Sequence, residues 1–111
     1  MINQAKLGQN GPQIGQLGYG AMVLEGYYGE SDDNQAIETL LHIDSGMMID
    51  TADAYGGGHN ESLIAKALKK TGTKAFIATK FGIVFDETGT EVPTGWGFSL
   101  NINGTARITT Q

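Results

Sequence analysis

The chain has 111 residues, of which 40% are hydrophobic and 17% charged, the size and make-up of one soluble globular unit. Its 12 acids against 7 bases give a net charge of -5, so nucleic acid is not an expected partner, because neutralising phosphates takes clustered Lys and Arg. The absence of cysteine excludes disulfides and thiolate metal sites, and no stretch approaches the ~20 apolar residues that span a membrane. With no apolar core of a signal peptide at the N-terminus either, the expected location is the cytoplasm.

In chain order, residues 1–15 read as a hairpin: INQAKLG, a turn at Gln9-Asn10-Gly11-Pro12, then the returning run QIGQLGYG. Ser31, Asp32 and Asp33 are cap candidates for the helix NQAIETLLHI, whose Ala36, Ile37, Leu40 and Leu41 recur at helical spacing. Ser45-Gly46 stops that helix, and Met47 to Ile49 follow as a strand. Asn60 is the expected cap of ESLIAKALKK, with Leu63, Ile64, Ala67 and Leu68 on one face and Lys69 and Lys70 suiting its C-terminal end. Gly72 breaks this helix, and AFIATKF is a second apolar strand. Strands alternating with helices every ~30 residues are the rhythm of parallel βαβ units. Strands covered on both faces read as continuous apolar runs, as both do here. Residues 82–111 lack helical periodicity and read as a long irregular segment, with a hairpin expected around Glu87-Thr88-Gly89.

The stretch MMIDTADAY raises a question of charge. A strand made to be buried ends in Asp50, with Asp53 and Tyr55 just beyond. By two-residue alternation Met48 and Asp50 share a face, as do Phe76, Ala78 and Lys80 in the next strand. Parallel neighbours end at the same sheet edge, so Lys80 is the expected partner that keeps Asp50 charged. Tyr55 leaves that same edge, where open α/β sheets and barrels put their chemistry. An unperturbed phenol, with a pKa of about 10, is a poor acid at neutral pH, and a neighbouring ammonium improves it. The trio then has a job: Tyr55 as proton donor, Lys80 tuning it, Asp50 holding Lys80. On spacing alone, a structural ion pair beside an unrelated loop tyrosine explains the pattern equally well.

The stretches LGYGAM, IDTADAYGGGHNESLIAKAL and FIATKFG, in this order and spacing, resemble the N-terminal third of the aldo-keto reductases, over about residues 5–105. The resemblance implies an N-terminal hairpin followed by about three βα units of a (β/α)8 TIM barrel. It implies reduction of a small-molecule aldehyde or ketone with a nicotinamide cofactor, NADPH in the usual case, and no metal. It also implies that Asp50, Tyr55 and Lys80 are catalytic, and that Gly20, Ala21 and Met22, with Asp50, lie near the nicotinamide end of the cofactor. The family's fourth catalytic residue, a histidine, follows the fourth strand, and neither His42 nor His59 matches it. A TIM barrel takes about 250 residues, so the resemblance implies a truncated reductase that is inactive by itself. The rival readings are a non-catalytic binding module, like the channel-associated β subunits of this fold, and a remnant that self-associates through exposed strand edges.

Other signals have blander readings beside them. The glycines at 18–20 and 56–58 follow no phosphate-loop pattern and read as tight turns. Asp53 reads as a loop hydrogen-bonder, and His59 beside Glu61 lacks the second histidine a metal site needs. Trp96 reads equally as a lid over the barrel mouth and as a loop anchor.

Overall fold

The computed structural model describes residues 2–83 and residue 88. β1 (Gln4–Lys6) and β2 (Gln13–Gly15) form the expected antiparallel hairpin, with Ala5 opposite Ile14. The Leu7 N–H closes the connection on the Pro12 carbonyl at 2.9 Å, a wider turn than Gln9–Pro12 alone. The returning run is not one strand. It breaks at Gln16-Leu17 and resumes as β3 (Gly18–Gly20), which belongs to a second sheet. Gly15 sits at this break and bonds the Gly46 carbonyl at 2.6 Å. A Cβ there would lie 2.2 Å from Ile2 Cδ1 and 3.0 Å from the Gly46 carbonyl oxygen, so a larger residue would make the Ile2 side chain shift and crowd the backbone.

The second sheet is parallel, in the order β3, β4 (Met48–Asp50), β5 (Phe76–Ala78). Its register puts Tyr19, Ile49 and Ile77 in one row and Gly20, Asp50 and Ala78 in the next, at the carboxyl edge. The crossovers are α1 (Asp33–Leu40) and α2 (His59–Thr71). Ile49 is wholly buried and packs with Leu40, Ile43, Leu63, Ile64 and Ala67 into one core between helices and sheet. Met48 is only half-buried and Asp50 is exposed. The sequence predicts strands covered on both faces; the described residues cover one, and the other is the face that turns inward in a closed barrel.

Asp32 is the cap among the three candidates, its carboxylate accepting from the Asn34 and Gln35 N–H groups at 2.9 and 3.0 Å. The helix ends at Leu40, three residues before the expected Ile43. The His42 ring takes the Glu38 carbonyl at 2.8 Å, the group its own N–H would take if the helix continued. The His42 and Ile43 N–H groups bond instead to Thr39 and Leu40, tightening the last turn. α2 starts two residues earlier than expected, after Gly58, and Asn60 is not its cap. Lys69 and Lys70 occupy its last turn and Gly72 ends it, as predicted. Residues 81–83 have no regular structure. Apart from Thr88, the rest of the segment read as irregular, Trp96 included, lies outside the described residues.

Candidate active site

Backbone hydrogen bonds carry the pairing of β4 and β5 past the strand ends: Thr51 N–H to the Ala78 carbonyl at 2.8 Å, and Asp53 N–H to the Lys80 carbonyl at 3.0 Å. This zip brings Lys80, two residues beyond β5, back to the end of β4. Its ammonium donates to the Asp50 carboxylate and, at 2.8 Å, to the Thr51 carbonyl. Tyr55 opens a 3-10 turn (Tyr55–Gly58), and the Lys80 nitrogen lies 5.3 Å from the centre of its ring, inside the range of a cation–π contact. The three side chains singled out in the sequence therefore converge at the carboxyl edge of the sheet.

The electrostatics differ from the expectation of a buried pair. Asp50 and Lys80 are about half exposed, at 51% and 53%, because nothing described lies over this face. Such a pair contributes little to stability, about 0–1 kcal/mol. Partial burial disfavours the Lys80 ammonium, but the hydrogen bond and charge of Asp50, with a smaller part from Tyr55, outweigh it and hold its pKa above the ordinary value.

Of the residues expected near a cofactor, Gly20 ends β3 directly opposite Asp50. A Cβ on Gly20 would meet nothing within 4 Å, so the floor beside Asp50 is flat and open. Met22 is half-buried in the 3-10 turn Ala21–Glu25 that follows. The Ala21 side chain is fully buried in the helix-side core, and its carbonyl faces α2. One aromatic neighbour has no local signal in the sequence. Tyr27 stands edge-on to Tyr55, ring centres 6.1 Å apart at 66°.

Asn60 carries the mouth's architecture. It is fully buried, and its side-chain oxygen accepts from the Thr51 hydroxyl at 2.7 Å. Its NH2 donates to the Ala21 carbonyl at 2.9 Å and to Glu25 Oε1 at 3.1 Å. The end of β4, the start of α2 and the turn after β3 are thus joined through one amide. Asn60→Ala is expected to lower the unfolding free energy by about 1–3 kcal/mol for each buried partner left unsatisfied, read as a lower urea midpoint at an unchanged m-value. A second network lies just outside: His59 bonds Glu25 through Nδ1 at 2.9 Å and Asp33 through Nε2 at 3.0 Å. The three glycines 56–58 that precede it all have positive φ, the tight turn expected of them. Glu61 accepts from the Thr79 hydroxyl at 2.7 Å, tying α2 to the end of β5.

A hairpin followed by parallel βαβ units, with a lysine, an aspartate and a tyrosine gathered at the strand ends, is the opening of a (β/α)8 barrel. A model of the aldo/keto reductase family matches residues 16–108, and the chain belongs to that family. It is 41% identical over 86 residues to the probable aldo-keto reductase 1 of Glycine max, covering 74% of this chain and 25% of that protein. To the aldo-keto reductase YhdN of Bacillus subtilis it is 34% identical over 84 residues, covering 71% and 25%. Among solved structures, an aldo-keto reductase of Bacillus halodurans in its holo form superposes with a TM-score of 0.60 at 30% identity, over 78% of this chain and 28% of that one. The chain spans about a quarter of the length of these relatives.

Proposed function

We propose that these residues form the proton-transfer half of an NADPH-dependent carbonyl reductase. The observation that carries the reading is the Lys80 ammonium, bonded to Asp50 and set 5.3 Å from the Tyr55 ring, at the edge where barrel chemistry is done. Tyr55 gives its phenolic proton to the oxygen of an aldehyde or ketone. Lys80, kept charged by Asp50, stabilises the negative charge left on the tyrosine oxygen. Asp50 holds Lys80 in place and, being half exposed, has room to accept from a ligand as well. A bound nicotinamide supplies the hydride. The residues fit such a group: Gly20 leaves an open floor beside Asp50, Met22 is half-buried in the turn that follows, and Ala21 is fully buried with its carbonyl bonded to Asn60. The phosphate-binding parts of the family lie later than the residues described.

The test is a chimera in which residues 16–83 replace the matching stretch of the Bacillus subtilis relative. Aldehyde reduction with NADPH, lost on Lys80→Met, is the expected result. A folded chimera that binds NADPH but reduces no aldehyde would overturn the reading.

One observation favours a second property. Among the described residues, β3 and β5 each pair on one side only. Unpaired edges of a parallel sheet with an uncovered inner face invite strand pairing with another chain. The 111 residues alone are expected to self-associate, and sedimentation of a monodisperse monomer would count against it.

A further inference from the structure

The 3-10 turn after β3 and the first turn of α1 are joined by one imidazole. His59 Nδ1 lies 2.9 and 3.1 Å from the two oxygens of Glu25, and Nε2 lies 3.0 Å from Asp33 Oδ1 and 3.1 Å from Oδ2. An ionised carboxylate only accepts, so both ring nitrogens must donate, and only the imidazolium carries two N–H groups. Glu25 and Asp33 flank the segment 26–32. Within that segment the Gly29 N–H bonds the Gly26 carbonyl at 3.3 Å. Leu24 before it and Ala36 and Ile37 after it are packed in the core, and the His59 ring is a side-chain link between its two ends.

We infer that His59 is a proton-operated clasp, which closes the segment 26–32 while it carries two ring protons and frees the Asp33 end when it loses one. The two halves of the clasp are unequal. The Glu25 side chain is only 11% exposed, accepts from Asn60, and fits against Gly56, where a Cβ would lie 2.4 Å from its Oε2. A bare nitrogen facing this enclosed carboxylate would leave it short of a donor, whereas Asp33, 62% exposed, is readily hydrated. The remaining proton therefore stays on Nδ1 with Glu25, and Asp33 lets go.

The charged groups facing the ring are Glu25 from the turn and Asp33 from α1. Glu61, two residues along its own helix, is engaged by Thr79 instead. The hydrogen bonds His59 donates to Asp33 and then to Glu25 outweigh desolvation and raise its pKa above the ordinary value. The sign follows: the clasp is closed below the ordinary histidine pKa of about 6.5 and opens as pH rises through the raised value. The freed segment bears Tyr27 and Tyr28, so opening loosens the aromatic edge beside Tyr55.

The clasp is independent of the proposed reaction and is tested on the 111-residue chain by nuclear magnetic resonance. Ring nitrogen shifts should report two protons on His59 at low pH and one, on Nδ1, at high pH. The midpoint should fall in Asp33→Asn and in Glu25→Gln. Backbone order parameters of residues 26–32 should drop through the same midpoint in the wild type, and be low at every pH in Asp33→Asn. For an exposed charged pair, a change of about two- to fivefold in the open population is expected. Glu25→Gln also disturbs the buried Asn60, so the surface variant Asp33→Asn decides. An unchanged midpoint in Asp33→Asn, or order parameters that stay level through the titration, would overturn the inference.

Discussion

Tyr55→Phe in the chimera is expected to lower kcat for an aldehyde at least about a hundredfold while NADPH binding stays intact. The substitution removes one oxygen and leaves the ring. The edge-on contact with Tyr27 and the cation–π contact with Lys80 both use the ring, so the local packing survives. What is lost is the phenolic proton that the proposed reaction uses: Lys80 gives two of its three N–H groups to Asp50 and Thr51, and Asp50 is an acceptor. General acid catalysis contributes about 10²–10⁴-fold, which sets the floor of the expected loss. Lys80→Met should also be severe, but with a different pH profile. Because Asp50 and Tyr55 hold the Lys80 pKa above its ordinary value, its charge persists at all pH below about 10. A fall in rate between neutral pH and that point therefore belongs to another group. Near-normal turnover by Tyr55→Phe would remove Tyr55 from the chemistry and leave the trio a structural pair with a neighbouring aromatic.

The parts of this arrangement that were legible in the sequence are those fixed by local pattern. Alternation assigns Asp50 to the strand face opposite Ile49, and the repeat of the βαβ unit brings Lys80 to the same edge. The burial of the pair was misjudged, because a near-continuous apolar run states what a strand is built to contact and not what lies over it in these residues. Asn60 was misread for a better reason. An asparagine just before an apolar helical run is a usual cap, yet Asn60, Leu63, Ile64 and Ala67 stand at i, i+3, i+4 and i+7, and all four are buried. The helical period thus placed Asn60 on the inward face, and that was the available signal. Glu25 and Tyr27 carried none. Their partners lie some 30 residues away in sequence, and only the fold of the turn after β3 brings them to the mouth.

The 111 residues by themselves are expected to show no measurable NADPH-dependent aldehyde reduction, although Tyr55, Lys80 and Asp50 stand together at the sheet edge. Proton transfer is one half of the reaction. The other half needs a nicotinamide held within about 3–3.5 Å of the carbonyl carbon, in line for transfer. On the proposed reading Gly20, Met22 and Asp50 would meet only one end of such a ligand; Gly20 lies opposite Asp50 at the sheet edge and Met22 in the turn that follows. A dinucleotide held at one end loses its freedom without the phosphate contacts that offset the loss. NADPH is therefore expected to bind no more tightly than millimolar. The sheet adds a second obstacle. With β3 and β5 each paired on one side, no described strand closes the wall around Asp50 and Lys80. Water then screens the charges that a closed barrel would strengthen by excluding it. Titration of cofactor fluorescence with the purified chain, beside a turnover assay, measures both quantities. Micromolar NADPH affinity with steady turnover, abolished by Tyr55→Phe, would mean that three strands and a hairpin suffice, and that the remaining barrel serves stability more than catalysis.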